Sequence, residues 1–221
     1  MSETTGVQAP ALPELRFRLP GRWWQVPLHD ATEARASIRA LIERQVGRAD
    51  DRAQVREDMR RQFFAALETA IGGDGQSMSI ALDIVEAVPL SASFTVFLPP
   101  IGMTPAVGTS GPAVIDIVAQ GLALTPGQSP DTAHRFSTAQ SEVLRTHHRQ
   151  IVPVLSDDGD SGELPTLVAQ YWITIPGTKR VILVVFSTVF VELEEVMLGF
   201  FDSIVRVTYW EQPNKPQPAI G

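Results

Sequence analysis

Leu164–Trp210, LPTLVAQYWITIPGTKRVILVVFSTVFVELEEVMLGFFDSIVRVTYW, decides the fold of this chain. From Thr166 to Ile175 the residues alternate. Leu167, Ala169, Tyr171, Ile173 and Ile175 fall on one face, and Val168, Gln170, Trp172 and Thr174 on the other. Pro176-Gly177-Thr178-Lys179 supplies turn residues, and Val181–Phe186 is an apolar run rich in β-branched side chains. Period two, a turn and a second apolar run predict a β-hairpin. After Phe190 the period changes. Leu193, Val196, Met197, Phe200, Phe201 and Ile204 recur at helical spacing, an amphipathic stripe that needs a sheet to cover. Asp202 and Glu195 lie off that stripe. The reading closes the unit with a short strand over Arg206–Trp210. The stretch predicts an architecture and contains no catalytic motif.

Outward from it, Leu15–Leu19 reads as a strand ending at Pro20-Gly21, and Trp23–Leu28 as a second strand kept to an edge by Pro27. Asp30 and Glu33 form a capping-box pair for a helix that stops near Gly47. Asp50 or Asp51 is placed to cap a second helix, lined by Val55, Met59, Phe63, Ala66, Leu67, Ala70 and Ile71 and ended by Gly72-Gly73-Asp74-Gly75. Ser79–Val85 and Ser91–Leu98 predict two strands. Pro99–Pro112 is irregular by composition, Val114–Leu124 fits helix or strand equally, and Ser141–Val154 reads as extended. The expected fold is α/β (α+β): a largely antiparallel sheet with the N-terminal helices and the C-terminal helix packed on it. The expected organisation is a flexible lead-in over 1–14, a single domain over 15–211 and a proline-rich tail over 212–221.

The formal charge of −7 and pI near 5.1 argue against broad nucleic-acid binding. No cysteine is present, which removes disulfides, thiolate metal sites and cysteine nucleophiles. The longest apolar runs fall well short of the roughly 20 residues that span a bilayer. No basic segment followed by an apolar one opens the sequence, so a cytoplasmic location is expected.

Candidate chemistry is sparse. His147 and His148 are adjacent, so on a strand they point to opposite faces and do not converge on one metal. Asp157–Glu163 has the composition of a calcium loop, but from Asp158 the register puts Gly162 at position 5 and Glu163 at position 6, where acid and glycine are required. Gly108-Thr109-Ser110-Gly111 is no GxSxG elbow, and no phosphate-binding loop or dinucleotide fingerprint occurs. No catalytic residue, metal ligand or cofactor site is therefore assigned. For partner binding, the arginine row Arg52, Arg56 and Arg60 offers a docking surface for an acidic partner, against the plainer reading of a solvated helix face. Trp23 and Trp24 cannot both face one core, so one packs inside and the other lies at an edge or interface, or is simply a partly covered surface Trp, two readings of equal standing.

Three segments, FRLPGRWWQV (Phe17–Val26), YWITIPGTKRVILVVFST (Tyr171–Thr188) and GFFDSIVRVTYW (Gly199–Trp210), resemble the PsbP-like α/β/α sandwich superfamily. The resemblance is confined to the two ends of the chain. The sequence departs from it in the two-helix stretch Asp30–Gly72 and in lacking the lipid-anchor cysteine of bacterial secreted relatives. The resemblance implies a non-catalytic protein that binds or assembles others, and transfers no functional residue. The expected function is a binding or accessory protein, an adaptor or secretion-associated factor with a protein partner. The alternative is a hydrolase or small-ligand-binding protein whose site assembles from scattered residues such as His147, Asp116 and Ser141.

Overall fold

A computed structural model describes residues 12–47, 52–83, 91–104, 108–125, 133–155 and 161–212. The expected caps Asp50 and Asp51, the acidic loop up to Asp160, and most of the lead-in and tail lie outside these residues. The β-strands are β1 (Glu14–Arg16), β2 (Arg22–Val26), β3 (Ser77–Asp83), β4 (Ala92–Phe97), β5 (His134–Ser137), β6 (Glu142–Leu155), β7 (Ser161–Thr174), β8 (Val181–Thr188) and β9 (Tyr209–Glu211). The helices are α1 (Ala31–Val46), α2 (Ala53–Gly72), α3 (Gly111–Ala123) and α4 (Glu194–Arg206), with a 3-10 turn at Val191–Leu193 leading into α4. Seven strands form one antiparallel sheet in the order β2-β3-β4-β8-β7-β6-β5. The α/β fold expected from the sequence, a largely antiparallel sheet carrying helices, is the one observed.

The β7–β8 hairpin sits in the middle of that sheet. Gly177 in its turn adopts φ +71°, a conformation glycine enters without steric cost. The alternation in β7 sorts its side chains as the sequence indicated. Leu167, Ala169, Tyr171, Ile173 and Ile175 join a core on the first face with Phe94, Val184, Phe186 and the inner side of α4. On the second face, α1 and α2 enclose Val26, Met78 and Ile80 toward the β2 edge, while α3 packs over Leu144 and Val181. Helices thus lie on both sides of the sheet. Val114–Leu124, which periodicity left open, is helical from Gly111, so the Gly108–Gly111 stretch leads into the first turn of α3.

Asp30 caps α1 as expected, its Oδ1 accepting from the backbone N–H groups of Thr32 and Glu33, which hold its carboxyl below the ordinary range. Gly47 ends that helix at φ +77°. Pro27 ends β2, and β2 is an edge strand.

Three expectations are corrected. The closing strand, expected over Arg206–Trp210, is β9 at Tyr209–Glu211, because Arg206 still belongs to α4; it pairs with β1 in a separate two-stranded ribbon. Trp210 draws it there: the ring is buried in the first-face core, with Nε1 donating to Ser141 Oγ at 2.7 Å. The α4 stripe is rotated from its expected position. Met197, Leu198, Phe201, Ile204 and Val205 are buried, whereas Leu193 and Val196 stand 50% and 66% exposed. Polar Asp202 claims part of the inner arc through its own buried partners and displaces the apolar count. In α2, Val55 and Ile71 are exposed, and Gln62 joins Phe63, Leu67 and Ala70 inside because Ser91 satisfies its amide.

A candidate binding cleft on the second face of the sheet

Strand β8 lies at the centre of the sheet, yet only one of its faces is fully buried. Leu183, Val185 and Ser187 are half-exposed on the second face, because α2 covers the β3–β4 side and α3 the β6 side. The cross-strand register lays two rows over this gap. One runs Ser93–Ser187–Val168–His148, the other Thr95–Val185–Gln170–Thr146. Helix α2 walls one side with Gln62, Ala65, Ala66 and Thr69, and Gln150, Ile151 and Val152 of β6 rim the other. The cleft is partly open to solvent and has a volume of about 240 Å³.

Two hydrogen-bonded pairs tie polar groups in and beside the cleft. Ser93 Oγ and Ser187 Oγ are 2.9 Å apart and share a hydrogen bond. Gln62 Nε2 donates to the Ser91 carbonyl at 3.1 Å, and the Ser91 hydroxyl donates back to the Gln62 amide oxygen. That pair anchors α2 to the start of β4. Two glycines bring the turn after α2 close to the floor: a Cβ on Gly73 would stand 2.8 Å from Phe97 Cε1, and one on Gly75 2.9 Å from Thr95 Cγ2. Every described residue lining the cleft is apolar, a hydroxyl or an amide.

A partly buried charged cluster lies on the first face. Asp202 of α4 accepts from the Tyr171 hydroxyl at 2.7 Å and from Arg145 Nη1 at 2.9 Å. Burial and the Asp202 carboxylate both push the Tyr171 phenol far above its ordinary value. Next to them Glu194 accepts from Arg149 Nε at 2.6 Å and lies 3.1 Å from His147 Nε2. The Arg149 hydrogen bond holds the Glu194 carboxyl below its ordinary value. Among the described residues, no group of three or more His, Asp or Glu could hold a metal ion.

The residues singled out in the sequence are dispersed. Trp23 and Trp24 face opposite sides of β2, and both are half-buried. Trp23 packs against Phe94 at 5.3 Å and donates to the Pro20 carbonyl; Trp24 lies on the α1–α2 core and donates to Ser37 Oγ. Arg52 and Arg56 donate to the Val46 and Gly47 carbonyls at the end of α1, and Arg60 pairs with Glu57. Of the scattered set, Ser141 Oγ donates to the Thr174 carbonyl while accepting from Trp210. Asp116 pairs with Arg135 at the surface of α3, and His147 faces α4 across the sheet. These three do not converge. The sequence reading missed the cleft and Asp202; the hydroxyls and Gln170 within otherwise apolar strands were the one signal of the cleft.

No family model matches the chain, and no curated protein does. Among solved structures the chain is similar to the crystal structure of LpqN, involved in cell envelope biogenesis of Mycobacterium tuberculosis. The TM-score is 0.41 at 10% identity, over 93% of this chain and 87% of that one. Among the described residues, no helix is long and apolar enough to cross a membrane.

Proposed function

We propose that this chain is a non-catalytic binding protein that holds a small, uncharged and largely apolar molecule in the cleft over β8. The observation that carries the reading is the floor itself: a central strand with Val185 and Ser187 half-exposed, in a cleft whose described lining is wholly uncharged. General acid–base chemistry needs a titratable group within reach of the substrate; no lining residue is one, and His148 at the end of one register row does not line the cleft. A charged guest would be desolvated here without a counter-charge, at a cost of several kcal/mol. A volume near 240 Å³ lies just below the roughly 300–1,000 Å³ typical of pockets for drug-sized ligands, which suits a small guest or one end of a longer one.

The neutral dye Nile red tests this reading. The protein is expected to bind it with enhanced fluorescence. Val185→Arg on the floor and Thr69→Trp at the exposed rim should each weaken binding at least about tenfold while the circular dichroism spectrum stays unchanged, a factor equal to 1.4 kcal/mol. Dye binding indifferent to both substitutions would refute the cleft as the site.

A second reading, an accessory protein working through protein contacts, is favoured by Leu193 in the 3-10 turn and Val196 on α4 standing exposed. Membership of the PsbP-like superfamily belongs with that reading as a proposal.

A further inference from the structure

We propose that two copies of this chain associate through the outward face of α4, antiparallel about a twofold axis passing between Phe200 and Asp202. At 100° per residue, the side of α4 opposite its buried arc carries Val196, Gly199 and Ser203, followed by Val207 just past the helix. All four are exposed, Val196 by 66% and Val207 by 45%. A Cβ built on Gly199 meets nothing within 4 Å. The face is therefore apolar at its two ends and thin in the middle, and exposed Glu195 and Arg206 flank it on one side.

The pattern is complementary to itself, and that selects the occupant. In an antiparallel pairing of identical helices, residues that face each other are equidistant from the axis. Val196 with Val207, Gly199 with Ser203, and Glu195 with Arg206 all centre between Phe200 and Asp202. One geometry thus brings the two valines together at each end, lets the small residues cross at the centre and forms two ion pairs. Glu195 and Arg206 lie about 16 Å apart along the helix, so the two pairs form at opposite ends without interfering. Small residues at the crossing allow axes to approach toward the near end of the usual 8–10 Å range. Such a match of one patch with itself is what an isologous dimer requires. The contact is small beside the roughly 1,200–2,000 Å² of a stable interface, so association is reversible and follows concentration.

Sedimentation equilibrium of the full chain tests this. The mass should rise from 24.1 kDa toward twice that value with concentration. Gly199→Leu fills the crossing, so dimerisation should weaken at least about tenfold. Its melting temperature should hold or rise, since the added side chain meets open space and glycine is a poor helix former. Glu195→Arg and Arg206→Glu should each weaken association by setting like charges together, and the double variant should restore it. A monomer at every concentration up to about 1 mM, the range of the weakest specific contacts, would overturn the proposal. So would a dimer indifferent to Gly199→Leu, or a double charge swap that fails to rescue.

Discussion

The Tyr171 hydroxyl donates a 2.7 Å hydrogen bond to Asp202 Oδ1, joining the fully buried centre of β7 to the inner side of α4. Arg145 on β6 completes the link from the other carboxylate oxygen, with side chains only 13% and 16% exposed for the two charged partners. Removing one member of a buried pair leaves the other desolvated and unmatched. Asp202→Ala is therefore expected to cost about 3–5 kcal/mol, and Tyr171→Phe about 1–2 kcal/mol, in urea melts. Glu195→Ala, exposed on the far side of the helix, should stay within about 0.5 kcal/mol.

The same melts locate the apolar face of α4. Phe201 is fully buried and stacks on Phe186 at 4.6 Å, so Phe201→Ala should cost about 3–5 kcal/mol. Val196→Ala should cost less than about 0.5 kcal/mol, because the side chain is already in water. Equal losses at the two positions would contradict the rotated stripe.

The pH dependence follows from two carboxyl and phenol environments. Arg149 holds the Glu194 carboxyl below its ordinary value of 4.5. That depressed group stabilises the fold above 4.5 and loses its contribution as the pH falls through the folded value. Tyr171 is raised above its ordinary 10.0, so its contribution is complete below pH 10 and is lost as the pH rises beyond it. Chemical melts across the range should show Glu194→Gln flattening the acid limb alone and Tyr171→Phe flattening the alkaline limb alone.

The arginine row has a structural use that its spacing did not reveal. The bonds from Arg52 at 3.4 Å and Arg56 at 3.0 Å meet carbonyls left open at the end of α1, where positive charge also suits the helix dipole. Changing Arg52, Arg56 and Arg60 together to Gln is expected to lower stability by about 1 kcal/mol, with most of the loss at Arg56. Thermal melts of the single and triple variants check this order.

What the sequence made legible was local. The period-two run Thr166–Ile175 sorted its side chains correctly because the hairpin is central and both faces of β7 are constrained. Asp30 and Gly47 marked the ends of α1 because caps act within one turn. Asp202 was illegible, since its partners lie 31 and 57 residues away on other strands. The cleft was illegible for the same reason: Ser93 and Ser187 are 94 residues apart and meet only through strand register. Val196 and Leu193 misled because apolar residues facing solvent have the same spacing as those facing the core.

Gly75 joins the fold to the cleft, and it gives the sharpest contrast. A Cβ there would lie 2.9 Å from the Ala70 carbonyl oxygen and 2.9 Å from Thr95 Cγ2, and 3.2 Å from Leu28 Cδ1. The first neighbour is backbone at the end of α2 and cannot step aside, so the turn into β3 must move. Thr95 belongs to the floor of the cleft and would be pushed with it. Gly75→Ala is therefore expected to destabilise by about 1–3 kcal/mol, the range for overpacking, and to weaken Nile red binding as well. Gly72, three residues earlier, has nothing within 4 Å of its added Cβ and lies in the last turn of α2. Gly72→Ala should leave dye binding intact and stabilise by up to about 1 kcal/mol, through helix propensity. Paired urea melts and dye titrations on the two variants decide it: equal behaviour would mean that the α2–β3 turn does not hold the cleft floor in place.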